Sequence, residues 1–335
     1  MKLSIIIPAY NVEKYIERCI YSCCEQKTLV LGKDYEVIVV NDGSKDGTLQ
    51  ILEKIKKQIP ELQIVTQENR GLSGARNSGL EIAGGDFVWF VDGDDTIAEN
   101  CLVGLCEILK PEIDAVQIYA NTVVSDKELV PRAVFEYAGS KTGKELLLEN
   151  KICCCAPFTI YNRDFLGRNK LRFYEGIFHE DNEFTPRAYF FAEAIICYPH
   201  FLYFVTINPN SITRVVNPKR SFDCLVVADS LQKFKVARNI SKDVRLNAVF
   251  CDHIGQVCSN AFSMILACQN KEFYNRFYLD LSQHRVAFKN MWHSGKAKYK
   301  LYSVLMNLIS YFPRTATFVF RVWARCSRAI GRDSS

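Results

Sequence analysis

Leu3-Ser4-Ile5-Ile6-Ile7-Pro8-Ala9-Tyr10-Asn11 opens as an almost continuous apolar run and closes in a polar turn. A short run rich in isoleucine predicts a strand buried on both faces, as a parallel sheet requires. The same unit recurs three times. Glu36–Val40 runs into Asn41-Asp42-Gly43-Ser44, Leu62–Thr66 is followed by Glu68-Asn69-Arg70-Gly71-Leu72, and Phe87–Val91 ends in Asp92-Gly93-Asp94-Asp95. Helical spacing fills the gaps. Tyr15, Ile16, Cys19, Ile20 and Cys23 form one apolar face, with Asn11 as its expected cap. Asp46-Gly47-Thr48 opens a second helix that carries Leu52, Ile55 and Ile59, and Ser73 to Ala83 reads as a third, stopped by Gly84-Gly85. Strand and helix in alternation predict an α/β fold with a doubly wound, mostly parallel sheet. Ligands of such sheets bind beyond the carboxyl ends of the strands, where the four polar turns lie.

The remainder is less regular. Short strands are expected around Ala115–Tyr119 and Phe201–Val205 and a helix near Glu183–Ala194, and from about residue 220 the chain reads as helices. This predicts a first half over 1–110, a second over 111–218 and a helical extension over 219–335. The 335 residues are 48% hydrophobic and 24% charged, the balance of an ordinary folded protein. No run approaches the roughly 18–20 apolar residues of a membrane-spanning helix. The N-terminal apolar run is too short for a signal peptide and is ended by Pro8, so a cytoplasmic chain is expected. The 14 cysteines include the clusters Cys23-Cys24 and Cys153-Cys154-Cys155. Clustering of this kind suits buried, reduced thiols better than a disulfide framework, and paired C-x-x-C zinc spacing is absent. The net charge is +5, but residues 296–335 carry eight basic side chains against Asp333 alone. Everything before them is slightly acidic, which argues against a nucleic-acid-binding core.

Turn chemistry accounts for isolated Asn, Asp and Gly after a strand. It does not account for Asp92, Asp94 and Asp95 together, because three carboxylates in four residues repel one another. A hard divalent cation with oxygen ligands, Mg²⁺ or Mn²⁺, is the expected reason for them. Neither a P-loop nor a G-x-G-x-x-G fingerprint is present. A metal on carboxylates, with a further acid near the ribose, fits a nucleotide diphosphate held through its pyrophosphate.

These blocks resemble those of the inverting family 2 glycosyltransferases with the type A fold: I-I-I-P-A-Y-N at 5–11, V-V-N-D-G-S-x-D-G-T at 39–48, N-x-G-L-S-x-A-R-N-x-G at 69–79 and F-V-D-G-D-D at 90–95. A fifth block, Tyr161-Asn162-Arg163-Asp164-Phe165-Leu166, Leu171-Arg172-Phe173 and Glu180-Asp181-Asn182-Glu183-Phe184, resembles the family's acceptor segment with its E-D motif. The resemblance implies that Pro8, Ala9, Tyr10 and Glu13 line the nucleotide pocket, Tyr10 packing on the base. Asp42 would accept from base or ribose, and Asn69 and Arg76 would hold base and phosphates, although Arg76 also suits a solvated helix face. Asp92 and Gly93 would lie on the ribose side and Asp94 would ligate Mn²⁺ or Mg²⁺. Asp181 would be the base that takes the acceptor's proton and Glu180 its orienting partner, although the acids of His179-Glu180-Asp181 also suit a helix N-terminus. His179 reads as an ordinary polar residue.

The implied activity is transfer of a hexose from a nucleotide diphosphate sugar, UDP by expectation, to a glycan or lipid-linked oligosaccharide of a surface polysaccharide. Intact Asp94 and Asp181 argue against a non-catalytic sugar-nucleotide-binding subunit, and the missing glycine-rich loop after the first strand argues against a nucleotidyltransferase. One departure concerns Tyr203-Phe204-Val205-Thr206, where Thr206 stands in place of the arginine that relatives carry; Arg214 or Lys219 is the expected substitute. At the C-terminus Arg321, Arg325, Arg328 and Arg332 form a stripe opposite Val319, Trp323, Cys326 and Ile330, offset by about 200°. This suits either an interfacial helix on the anionic inner face of a membrane or a helix docked on its own domain.

Overall fold

Every residue of the first strand, β1 (Leu3–Ala9), is buried, since both faces of a central parallel strand are covered by helices. The computed structural model describes residues 1–125, 128–208, 217–268 and 270–311. It divides into two units, Met1–Arg214 and Val215–Ser335.

In the first unit β1 pairs in parallel with β2 (Tyr35–Asn41), which in turn pairs with β3 (Gln63–Thr66); β4 (Phe87–Phe90) lies on the other side of β1. Helices α1 (Ile16–Cys24), α2 (Thr48–Gln58) and α3 (Gly71–Ile82) make the crossovers. The sheet then continues as a mixed one with β5 (Thr96–Ile97), β6 (Ala115–Ser125), β7 (Glu128–Ala133), β8 (Ser140–Lys141), β9 (Thr159–Asn162) and β10 (Ile195–Thr206). The order is β3-β2-β1-β4-β9-β6-β10-β5, with β7 on β6 and β8 on β10. β9 runs antiparallel to β4 and β6, whereas β6 and β10 are parallel. The two halves expected from sequence therefore share one sheet. Helices α4 (Leu102–Ile108), α5 (Gly143–Leu148), α6 (Arg163–Arg168) and α7 (Glu180–Phe191) complete the unit.

Asn11 does not cap α1, which begins at Ile16 with Tyr15 at the cap position. Instead Asn11 adopts a left-handed conformation (φ 53°), its side-chain oxygen accepts from Lys45 N (2.8 Å), and its own N–H donates to Ser44 Oγ (3.2 Å). The residue is used to pin the turn after β1 to the turn after β2. α3 departs from an amphipathic pattern as well: Ser73 to Leu80 are buried without interruption. Its small residues permit this enclosure, and a Cβ on Gly79 would sit 2.3 Å from Ile6 Cγ2.

The second unit holds α8 (Lys219–Ala237), α9 (Val244–Ala267), α10 (Lys271–Asp280), α11 (Arg285–Asn290) and α12 (Ala297–Tyr311). α8 and α9 form the central pair. α12 crosses α9 at Gly255, where a Cβ would meet the Tyr299 ring at 2.6 Å. Buried His284 lies between Asp229 (2.7 Å) and Asp280 (3.3 Å). Burial pulls its pKa down, but the hydrogen bond and charge of Asp229, helped by Asp280, outweigh this and raise it above 6.5. The stabilisation is complete below the unfolded pKa and is lost as pH rises through the folded one. Stability against urea should thus weaken as pH rises above about 6.5, and His284→Gln should remove that pH dependence. A wild-type curve that is flat with pH would contradict the pairing.

No helix among the described residues is long and apolar enough to cross a membrane. The arginine stripe over 321–332, Arg214 and the block Asn210-Ser211-Ile212 lie outside the described residues.

Candidate active site

The four turns converge at the carboxyl ends of β1, β2, β3 and β4. Ala9 and Pro8 are buried as the last residues of β1, and Tyr10, 41% exposed, stands free of the core. Glu13 Oε2 accepts from Gly47 N (2.7 Å), bracing the entry to α2. Asp42 is buried; its Oδ1 accepts from Gln67 Nε2 (2.7 Å) and Arg70 N (2.8 Å), and its carbonyl accepts from Asn69 Nδ2 (2.9 Å). Asp42 and Asn69 therefore fasten the second turn to the third. Gly93 is a position where no side chain fits, because a Cβ would lie 2.9 Å from Pro8 O.

The three acids after β4 diverge. Asp95 turns back into the protein, where its carboxylate accepts from Tyr203 Oη (2.8 Å) and Thr206 N (2.7 Å). Burial, with Asp92 and Asp94 nearby, pushes its pKa up to about 8. Asp95 thus buttresses β10, and its carboxylate is committed inside the protein rather than free to serve a cation as the sequence suggests. Asp92 N donates to the same Tyr203 hydroxyl (3.0 Å). Asp94 Oδ2 accepts from Asn208 Nδ2 (3.0 Å), and burial raises its pKa.

Arg76 holds the centre. It is only 1% exposed, which overturns a solvated helix face. Its Nη2 donates to Asp92 Oδ1 (2.8 Å), and its Nη1 donates to Glu180 Oε1 (2.8 Å) and Asp181 Oδ1 (3.2 Å). The Phe173 ring lies 5.1 Å from the guanidinium carbon. Burial alone would lower the arginine's pKa, but Asp92, Asp181 and Glu180 raise it further than burial lowers it. One cation thereby gathers the turn after β4 and the N-terminus of α7. His179 precedes α7 in a left-handed conformation (φ 64°) and turns the chain so that Glu180 and Asp181 begin the helix. Burial pushes the Asp181 pKa up to about 7 against the pull of Arg76, with Glu180 and Asp92 adding to the rise.

The residues suit a divalent cation. The donor set is oxygen only, and Asp94 and Asp92 offer one or two carboxylates, the number Mg²⁺ and Mn²⁺ use when a diphosphate supplies other ligands. Among the described residues no three His, Cys, Asp or Glu side chains form a closed metal cage. Sequence reasoning missed Arg18. Its Nη2 donates to Thr206 Oγ1 (2.6 Å) and Asp94 O (3.3 Å), so a guanidinium does stand beside Thr206, contributed by α1. Lys219, the expected substitute, pairs with Asp223 in the second unit. The only signal in the sequence is that Arg18 falls on the side of its helix opposite Ile16, Cys19, Ile20 and Cys23.

A family model described as glycosyl transferase family 2 matches residues 4–169. The chain carries a family 2 glycosyltransferase domain. It is 34% identical over 221 residues to the uncharacterised glycosyltransferase EpsJ of Bacillus subtilis, covering 64% of this chain and 63% of that one. It is 35% identical over 202 residues to the poly(ribitol-phosphate) beta-N-acetylglucosaminyltransferase TarS of Staphylococcus aureus, covering 58% of this chain and 34% of TarS. The chain thus spans less than two thirds of these curated relatives. The crystal structure of TarS 1–349 in complex with UDP-GlcNAc superposes with a TM-score of 0.71 at 23% identity, over 96% of this chain and 92% of that one. The family 2 domain therefore has the type A glycosyltransferase fold, here followed by a helical unit.

Proposed function

We propose that this family 2 chain is an inverting, metal-dependent glycosyltransferase that moves a hexose from a UDP-sugar to a hydroxyl of a growing or lipid-linked surface polysaccharide. The observation that carries the reading is the Arg76 cluster: one buried guanidinium draws Asp92 and Asp181 to the same place. The donor class rests on the likeness to a protein solved with UDP-GlcNAc, and the acceptor class on a relative named for poly(ribitol-phosphate).

Tyr10 would cover the base, Asp42 the ribose or base, and Arg18 would lend positive charge to the diphosphate. Asp94, with Asp92 beside it, would hold Mn²⁺ or Mg²⁺; bound there, the ion supplies charge neutralisation for the departing diphosphate. Asp181 would accept the acceptor's hydroxyl proton as that oxygen forms a bond to the anomeric carbon on the face opposite the phosphate. The bond from that carbon to the phosphate oxygen breaks, and its electron pair leaves with UDP. A carboxyl group titrating near neutrality suits such a late proton transfer. Glu180, on the same guanidinium, would keep Asp181 in place.

Thermal unfolding with a panel of UDP-sugars, with and without Mn²⁺, tests the donor and metal assignments. At donor concentrations about 100 times Kd, stabilisation should reach ~2.7 kcal/mol. It should need Mn²⁺, and Asp94→Asn should remove it. Equal stabilisation without the ion would contradict the metal assignment, and no response to any UDP-sugar would contradict the donor class. A chain that binds the donor should also hydrolyse it slowly to UDP.

A further inference from the structure

The last described helix is apolar on the side it shows to solvent. Across α12, Tyr299, Tyr302, Met306 and Ile309 face the unit's interior. On the opposite side Leu301 (49% exposed), Val304 (43%), Leu308 (47%) and Tyr311 (51%) follow one another at i, i+3, i+7 and i+10. A helix apolar on both sides belongs in a core or against a second apolar phase, and this one leaves one apolar face exposed to water. Trp292, 55% exposed, sits in the turn Met291–His293, which packs against α12.

The charge around this stripe has one sign. From Arg285 to Tyr311 there are five lysines and arginines and no aspartate or glutamate. Lys298 and Lys300 are exposed at the N-terminal end of α12. Arg285 stands at the other end, its guanidinium 4.0 Å from the Tyr311 ring centre and donating to Ser310 O (2.6 Å). Of the acids on packed neighbours, Asp252 accepts from Ser294 Oγ and Gly295 N and Asp280 contacts His284, while Glu272 on α10 is exposed. Exposed leucine and valine, with tryptophan and tyrosine nearby and lysines at the border, match what an anionic lipid surface receives from an interfacial helix.

We infer that the exposed face of α12, Leu301, Val304, Leu308 and Tyr311 with Lys298 and Lys300, docks the protein on an anionic membrane surface. The inference is independent of the transfer reaction.

Flotation of the full chain with phosphatidylcholine vesicles, with and without about 30% phosphatidylglycerol, tests it. Wild type should float with the anionic vesicles, should not float with the zwitterionic ones, and should detach at high salt. Leu301→Gln combined with Leu308→Gln should weaken partition at least about tenfold and leave UDP-sugar hydrolysis unchanged. Lys298→Glu with Lys300→Glu, at exposed positions, should weaken it similarly, and serves if the leucine variant folds poorly. Unchanged flotation of both variants would overturn the inference. So would a self-association of the wild type that the leucine variant loses while neither protein floats, since the face would then meet a second copy of the chain.

Discussion

Asp181→Asn is expected to slow transfer by about 10²–10⁴-fold, the range a positioned general base contributes, and to leave UDP binding intact. The amide keeps the size of the side chain and can still meet the Arg76 cluster, but it cannot hold the acceptor's proton. The geometry explains why one residue carries so much. Asp181 is the carboxylate that α7 presents to Arg76 at 3.2 Å alongside Glu180, and its pKa, pushed to about 7 by burial, sets it apart from an ordinary surface acid. Steady-state transfer rates paired with calorimetric titration of UDP separate the two effects. A variant that transfers at the wild-type rate would show that the proton goes elsewhere.

Arg76→Met should cost about 3–5 kcal/mol of stability, the penalty for removing one partner of a buried ion pair, and should abolish activity as well. Asp92, Glu180 and Asp181 would lose the cation they share in a largely dry site. Each would then repel the others, so the penalty should shrink as pH falls through neutrality, where Asp181, held near 7 even beside the cation, takes up a proton. Arg76→Lys should be intermediate, because an ammonium keeps the charge but not the two-sided fork that reaches both the turn after β4 and α7. Urea unfolding at two pH values measures this. A loss under about 1 kcal/mol at neutral pH would mean that the cluster is held by other groups.

Much of the first half of the fold was legible because its signals are local. Leu3–Ala9, Tyr35–Asn41 and Phe87–Phe90 are short apolar runs, and each closes in a turn whose residues announce it. The second half is less so, since β9 enters between β4 and β6 in the opposite direction, and nothing in Thr159–Asn162 states its partners. In the site, sequence spacing could place Asp92, Asp94 and Asp95 together but could not say where each side chain turns. That depends on Tyr203, Thr206 and Asn208, more than a hundred residues away. The burial of Arg76 did leave a trace. Ser73, Gly74, Ala75, Ser78 and Gly79 surround it in α3, and a run of small residues allows a helix to be enclosed on all sides.

The central claim is that Asp181 faces the sugar of a donor whose diphosphate lies at Asp94. A crystal structure of the chain with Mn²⁺ and a non-hydrolysable UDP-sugar tests it most directly. The account predicts the ion between Asp94 and the diphosphate, with the Asp181 carboxylate on the opposite face of the anomeric carbon. A donor seated with Asp181 turned away from the sugar, or with its diphosphate remote from Asp94, would contradict it.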